Sequence, residues 1–317
     1  MTHEIAQYLE SIREKARLNH ADEPGVMCEL EAHIEDKLRE LKKSGLTEEE
    51  AVRTCMWEMG SIKSLARQIY EAYSQGSWKQ VLMASMPHFL FGLLFMLNWW
   101  HYPQWLSIIL IFTIGTAIYG WGHGKPAWVF PWLGYSLVPV IAVGLLLLYL
   151  PVSWSFLVLI VYFPLAIWWV FRIVVQTTRR DWLLSSLMLL PLPIIIGWFL
   201  MISPSGKFSI ASLERVNIYA PWIGISFMMM AFTIGTFIRI RQRWLKVSLL
   251  AISGILTLTT AVYLAAGRFN YNAFLWPMLG MWGVLLVPPL LERQLKTGHL
   301  FFKKRYHARG KGGLPTA

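Results

Sequence analysis

An all-α chain is predicted, with a small cytoplasmic helical domain over residues 1–78 ahead of an eight-helix transmembrane bundle over 79–291 and a basic tail over 292–317. Three observations lead there. Residues 1–80 carry 11 Lys/Arg and 15 Asp/Glu, whereas residues 81–317 carry 18 Lys/Arg and only three acids, Asp181, Glu214 and Glu292. The second region holds apolar runs of about 18–23 residues, enough for a hydrocarbon core of roughly 30 Å. Backbone groups in lipid must be satisfied within each run, which restricts such segments to helices. A region this long with three acids is no soluble enzyme core.

The polar region divides into four helices. Ile5, Tyr8, Leu9, Ile12 and Ala16 share one face at helical spacing. A break at 19–25 holds Asp22, Pro24 and Gly25, and a second helix over about 26–43 carries Leu30, Ile34, Leu38 and Leu41. Gly45 stops it. Thr47 and Glu50 have capping-box spacing ahead of a third helix with Ala51, Val52, Cys55 and Met59, which ends at Gly60. Ser61 caps a fourth helix, with Ile62, Leu65, Ala66 and Ile69 facing inward. Cys28 and Cys55 show no metal-site spacing and read as buried free thiols. His20, Cys28 and His33 match no ligand pattern, and His33 reads as a structural hydrogen-bonding residue. No metal or cofactor is expected. Residues 1–18 mix charges and lack an apolar core of a secretory signal, so the N-terminus is expected in the cytoplasm.

The order Glu29-Leu30-Glu31-Ala32-His33-Ile34-Glu35-Asp36, Leu38, Leu41, Gly45-Leu46-Thr47-Glu48-Glu49-Glu50-Ala51, Met59-Gly60 and Leu65-Ala66 resembles the permease-prefix (HAAS-type) domain of bacterial membrane proteins. The resemblance covers about residues 5–75. Ser61-Ile62 departs from the Asp-Pro that commonly follows the glycine in that family, and Ser caps as Asp does. What the resemblance implies is a regulatory or assembly role in the cytoplasm, in proteins that are often permeases and sometimes lie beside PadR-type regulators. It implies no chemistry.

Spans are expected at 82–100, 105–122, 128–150, 154–171, 182–202, 218–238, 247–266 and 272–291. With the N-terminus inside, the inner loops and tail hold fifteen Lys/Arg, against Lys207, Arg215 and Arg268 outside. That asymmetry obeys the positive-inside rule and puts both termini in the cytoplasm of a multi-pass protein of the bacterial inner membrane. Trp99, Trp100, Trp105, Trp154, Trp222 and Trp276 fall at outer ends, and Trp121, Trp128, Trp168, Trp169, Trp182 and Trp244 at inner ends, as interfacial belts do. Lys303, Lys304, Arg305, Arg309 and Lys311 are expected to contact anionic headgroups. No nucleic acid is expected as partner.

Phe112–Ile118 recurs as Phe232–Ile238 with six of seven residues identical, 120 positions apart. This predicts a four-plus-four parallel duplication, with convergent Gly/Thr packing as the other reading. Gly115, Thr116, Gly235 and Thr236 are the expected helix-packing interface between the halves. His88, beside Pro87, is the titratable group inside a span, a candidate gate or proton site. A packed histidine bonded to the carbonyl of a kinked helix is the plainer alternative. Gly134-Tyr135-Ser136 and Gly224-Ile225-Ser226 match a Gly-x-Ser nucleophile pattern too short to carry an enzyme, and no phosphate loop or HExxH occurs. Two function classes follow. One is a transport-associated permease or permease subunit, whose N-terminal domain meets an ATPase subunit or regulator. The other is a membrane sensor that signals through that domain without transport.

Overall fold

Caps and glycine stops set the limits of the first four helices. The computed structural model describes residues 3–18, 22–147, 158–202, 210–266 and 271–309, and no strand occurs among them. α1 (His3–Ala16) buries the expected stripe from Ile5 to Ala16. α2 (Glu23–Lys43) begins three residues before the expected 26, because Pro24 sits in its first turn, where a missing N–H leaves no bond unmade. Gly45 and Gly60 take φ of 95° and 82°, the left-handed backbone that glycine adopts freely. Between them, the Thr47 hydroxyl accepts from the Glu50 amide and the Glu50 carboxylate accepts from the Thr47 amide at 3.0 Å, opening α3 (Glu48–Met59). The Ser61 hydroxyl accepts from the Ser64 amide at 3.2 Å to open α4 (Ile62–Tyr73). Ile12, Val26, Ile34, Val52, Cys55 and Ala66 close a core among these four helices. Cys55 is buried as expected, whereas Cys28 is exposed. His33 is exposed too.

Apolar helices follow. They are α5 (Trp78–Met96), α6 (Pro103–Gly122), α7 (Val129–Leu147), α8 (Phe163–Arg180), α9 (Trp182–Leu189), α10 (Pro191–Ile202), α11 (Ile210–Arg239), α12 (Arg243–Ala266) and α13 (Tyr271–Arg309). A short π turn, Val158–Tyr162, runs into α8. Pro191 interrupts one apolar stretch and splits it into α9 and α10. Among the described residues six stretches are long and apolar enough to cross a membrane: Trp78–Met96, Pro103–Gly122, Ile160–Arg180, Trp182–Ile202, Leu213–Arg239 and Leu275–Leu295. α7 and α12 stand at the expected third and seventh positions. The expected tail from 292 is not separate from the last helix at its start, because α13 continues through Lys303, Lys304 and Arg305 to Arg309. Lys311 and Trp154 lie outside the described residues.

The most extensive helix pair among the described residues is α5 against α11, running antiparallel. Gly92 and Gly224 face each other there, and a Cβ on Gly224 would stand 3.0 Å from the Gly92 carbonyl oxygen. Further along, the Ser85 hydroxyl donates to the Ala231 carbonyl at 3.0 Å, and a Cβ on Gly235 would meet Ser85 and Val81 at 3.3 Å. Small residues permit such backbone approach. The repeated heptads differ in their packing. Gly235 is buried against α5, but Gly115 is exposed and faces open space. Thr116 and Thr236 are half-buried, the latter donating to the Phe232 carbonyl of its own helix. The expectation of one interface built on all four residues is therefore corrected. Gly235 makes a close approach to α5, and Gly115 makes none.

Candidate functional site: a charged latch on the apolar bundle

Asp181 stands between α8 and α9 in extended backbone, and its carboxylate caps α9 by accepting from the Leu183 amide at 3.1 Å. This fixes one acid at one end of the bundle. Arg243, at the start of α12, forks onto it with Nη2 at 2.6 Å from Oδ1 and Nη1 at 3.0 Å from Oδ2. Arg17 arrives from the other region of the chain. It follows α1 with φ of 52°, a left-handed conformation uncommon for a residue with a Cβ. Its guanidinium reaches Asp181 Oδ1 at 3.2 Å and Glu292 Oε1 at 2.8 Å. Asp181 and Glu292 are 7% and 5% exposed, so water screens the pairs little. Two of the three acids in residues 81–317 thus hold the same arginine of the N-terminal helices.

Around this latch the bundle's loops come together. Arg180 donates to the Lys125 carbonyl, which links the segment after α6 to the end of α8. The linker between α4 and α5 is stitched to the segment between α11 and α12. Gly76 donates its amide to the Ile238 carbonyl at 2.9 Å, and Arg239 donates back to the Gly76 carbonyl at 3.2 Å. Ser74 donates to the Arg241 carbonyl at 3.0 Å, Arg241 to the Gln75 side chain at 2.8 Å, and the buried Lys246 to the Ser74 carbonyl at 3.3 Å. Aromatic faces complete the seam. Arg243 lies 5.6 Å from the ring centres of both Tyr70 and Trp182, and Arg239 lies 4.6 Å from that of Trp78.

Burial pushes the Tyr70 hydroxyl up to about 12, with the Asp181 charge acting in the same direction, so it stays protonated beside Arg243. For Asp181 two influences oppose. Burial raises its carboxyl, but Arg243 and then Arg17 outweigh that and hold it below its ordinary value. A carboxylate depressed in the folded state contributes stability that is complete above its unfolded value and is lost as pH falls through the folded one. The latch is accordingly expected to hold from neutrality down to about pH 4 and to weaken below it. Melting of the wild-type and Asp181→Asn proteins across pH checks this. The gap between them should close at the acid end, and a gap unchanged at pH 3 would refute the assignment.

Two cavities flank Arg17. One, of about 340 Å³, is lined by Tyr70, Gln80, Arg180, Asp181 and Lys246. The other is an open groove of about 890 Å³ between α1, α4 and the start of α12. Residues singled out from the sequence lie elsewhere. His88 is fully buried, edge-on to Tyr135 at 4.9 Å between ring centres, and neither its two ring nitrogens nor the Tyr135 hydroxyl finds a hydrogen-bond partner among the described residues. The expected bond from His88 to a helix carbonyl is therefore absent. The two Gly-x-Ser hydroxyls donate within their own helices, Ser136 to the Trp132 carbonyl and Ser226 to the Trp222 carbonyl, both at 2.9 Å. An unpaired buried polar group is costly, so His88→Leu is expected to leave stability unchanged or raise it by up to about 1 kcal/mol. Thermal melting in detergent measures it; a loss of several degrees would show that the imidazole holds a bond the packing needs.

The latch was missed because Arg17 sits 164 residues from Asp181, beyond the reach of any periodicity. A usable signal was present, since a nearly acid-free region kept Asp181 and Glu292 at two expected inner boundaries. Compared with protein-family models, curated proteins and solved structures, the chain matches none.

Proposed function

We propose that this chain is a transport-associated protein of the bacterial cytoplasmic membrane, a permease or permease subunit, whose N-terminal helical domain regulates the bundle by docking on its inner face. The observation that carries the proposal is the pairing of Arg17 with Asp181 and Glu292. Breaking a buried pair by removing one partner is strongly destabilising. Any ligand or partner that competes for Arg17 would therefore change how the domain sits on the bundle. The resemblance of residues 5–75 to the permease-prefix domain supports the same reading, and no catalytic, cofactor or metal site belongs to it.

Eight crossings and cytoplasmic termini are part of the proposal. What supports the count is that Gly76, Lys125, Asp181, Arg243 and Glu292 gather around one seam. A chain that returns to one end after α6, after α8, after α11 and within α13 crosses an even number of times between visits. The lysines and arginines at that end agree with a cytoplasmic face.

The experiment is purification of the full chain from native membranes in mild detergent, with co-purifying chains identified by mass spectrometry. An ATPase subunit bearing a phosphate loop is the expected partner. A transcriptional regulator, or no partner, would sink the permease-subunit reading. A second reading, a sensor that signals through the N-terminal domain without transport, is favoured by one observation: the two cavities beside Arg17 lie at the junction of that domain with the bundle.

A further inference from the structure

The open groove beside the latch is strongly basic. Lys15 from α1, Lys63 and Arg67 from α4, and Arg17 and Arg243 of the latch line it, against Glu71 as its lining acid. Lys15, Lys63 and Arg67 are exposed. Among the described residues Lys15 and Lys63 have no carboxylate partner, and the Arg67–Glu71 pair is long at 4.0 Å. A volume of about 890 Å³ is in the range of small-molecule sites. Its apolar margin is equally defined. Trp244 lines the groove and is 65% exposed. Ile252 and Leu256, also exposed, continue along α12 within about a third of the helix circumference from Trp244. Cations around a cavity that opens onto an apolar helix face suit a ligand with an anionic head and an acyl tail.

We propose that this groove binds the phosphate headgroup of an anionic lipid of the surrounding bilayer, with its chains along α12. Lys15, Lys63 and Arg67 supply the charge. Arg17 and Arg243, already shared with Asp181, border the same space, so the occupied groove competes with Asp181 for them and sets how firmly the latch closes. Such lysines and arginines attract anionic leaflets through sequence-independent electrostatics that salt weakens. The proposal rests on the reading that this end of the bundle lies at the inner membrane surface.

The test uses the full chain in neutral detergent, with thermal melting followed as short-chain phosphatidylglycerol is added. A saturable shift of the melting temperature is expected, smaller at high salt, with phosphatidylcholine giving none. The combined Lys15→Gln, Lys63→Gln and Arg67→Gln variant should need at least ten-fold more phosphatidylglycerol. These side chains are exposed, so the variant should fold. Lys43→Gln and Arg53→Gln together, exposed charges on α2 and α3 outside the groove, should leave the response unchanged. The same response from the groove variant would overturn the proposal, as would an equal shift with phosphatidylcholine. Saturation by glycerol phosphate at the same concentration would overturn the lipid assignment in favour of a soluble phosphate.

The exposed Cys28 separates this from failure of the membrane reading, because Cys55 is buried. A membrane-impermeant maleimide should label Cys28 only after cells are opened. Labelling in intact cells would overturn the cytoplasmic placement on which the proposal rests. Protection in intact cells together with no lipid response would overturn the groove proposal alone.

Discussion

Asp181→Asn is expected to destabilise the full chain by about 3 kcal/mol, the low end of what breaking a buried ion pair costs. The substitution keeps the shape and leaves a side-chain oxygen for the Leu183 amide, so the cap on α9 survives. What it removes is the one charge that Arg17 and Arg243 share. Glu292 still holds Arg17, which sets the estimate at the lower end. Arg243 would be left against Tyr70 and Trp182, with the Glu292 charge nearby. Unfolding in denaturant, with the N-terminal helices followed by hydrogen exchange, gives the measurement. The amides of α1 and α4 should lose protection more than those of α5 and α11. A double-mutant cycle with Arg17→Met then isolates the latch. A coupling of about 1.5 kcal/mol or more is expected for hydrogen bonds between charged groups, and a coupling near zero would mean that Arg17 merely lies nearby.

Local rules made the N-terminal helices readable. Thr47 and Glu50 sit at capping-box spacing, Ser61 follows Gly60, and each apolar stripe has the helical period, so the helix starts and the core of residues 5–69 needed no distant information. The same rule would have found the start of α5, where Ser77 and Gln80 form a second capping box; the apolar reading began instead at residue 82. In the bundle, hydropathy shows where helices run but hardly which face touches which, because nearly every face is apolar. This is why the matching heptads looked equivalent. Ala117 and Thr113 turn inward on α6 while Gly115 faces outward, whereas on α11 Thr233, Ile234 and Gly235 are all buried. Charge scarcity was the one long-range clue, and it pointed at Asp181 and Glu292 without naming their partner.

The largest packing effect is expected at Gly134, a residue that looked in the sequence like half of a weak nucleophile pattern. Here α7 lies so close to α9 that a Cβ would press into the Met188 carbonyl oxygen, with the Met188 carbonyl carbon 3.2 Å away. Neither atom belongs to a flexible side chain, so the two helices must part. The neighbours Trp132, Tyr135 and Met188 are all essentially without exposure, and Trp132 is tied to the Met83 carbonyl at 2.8 Å. Gly134→Ala should therefore cost about 3 kcal/mol, the upper part of the range for overpacking, and lower the yield of folded protein in detergent. Gly115→Ala is the matched control. No atom lies within 4 Å of its Cβ position, so the substitution gains about 1 kcal/mol from helix propensity with nothing to displace. Thermal melting of the two variants side by side makes the comparison. If Gly115→Ala were the damaging change and Gly134→Ala the silent one, the repeated heptad would mark the interface after all and the α7–α9 contact would be wrong.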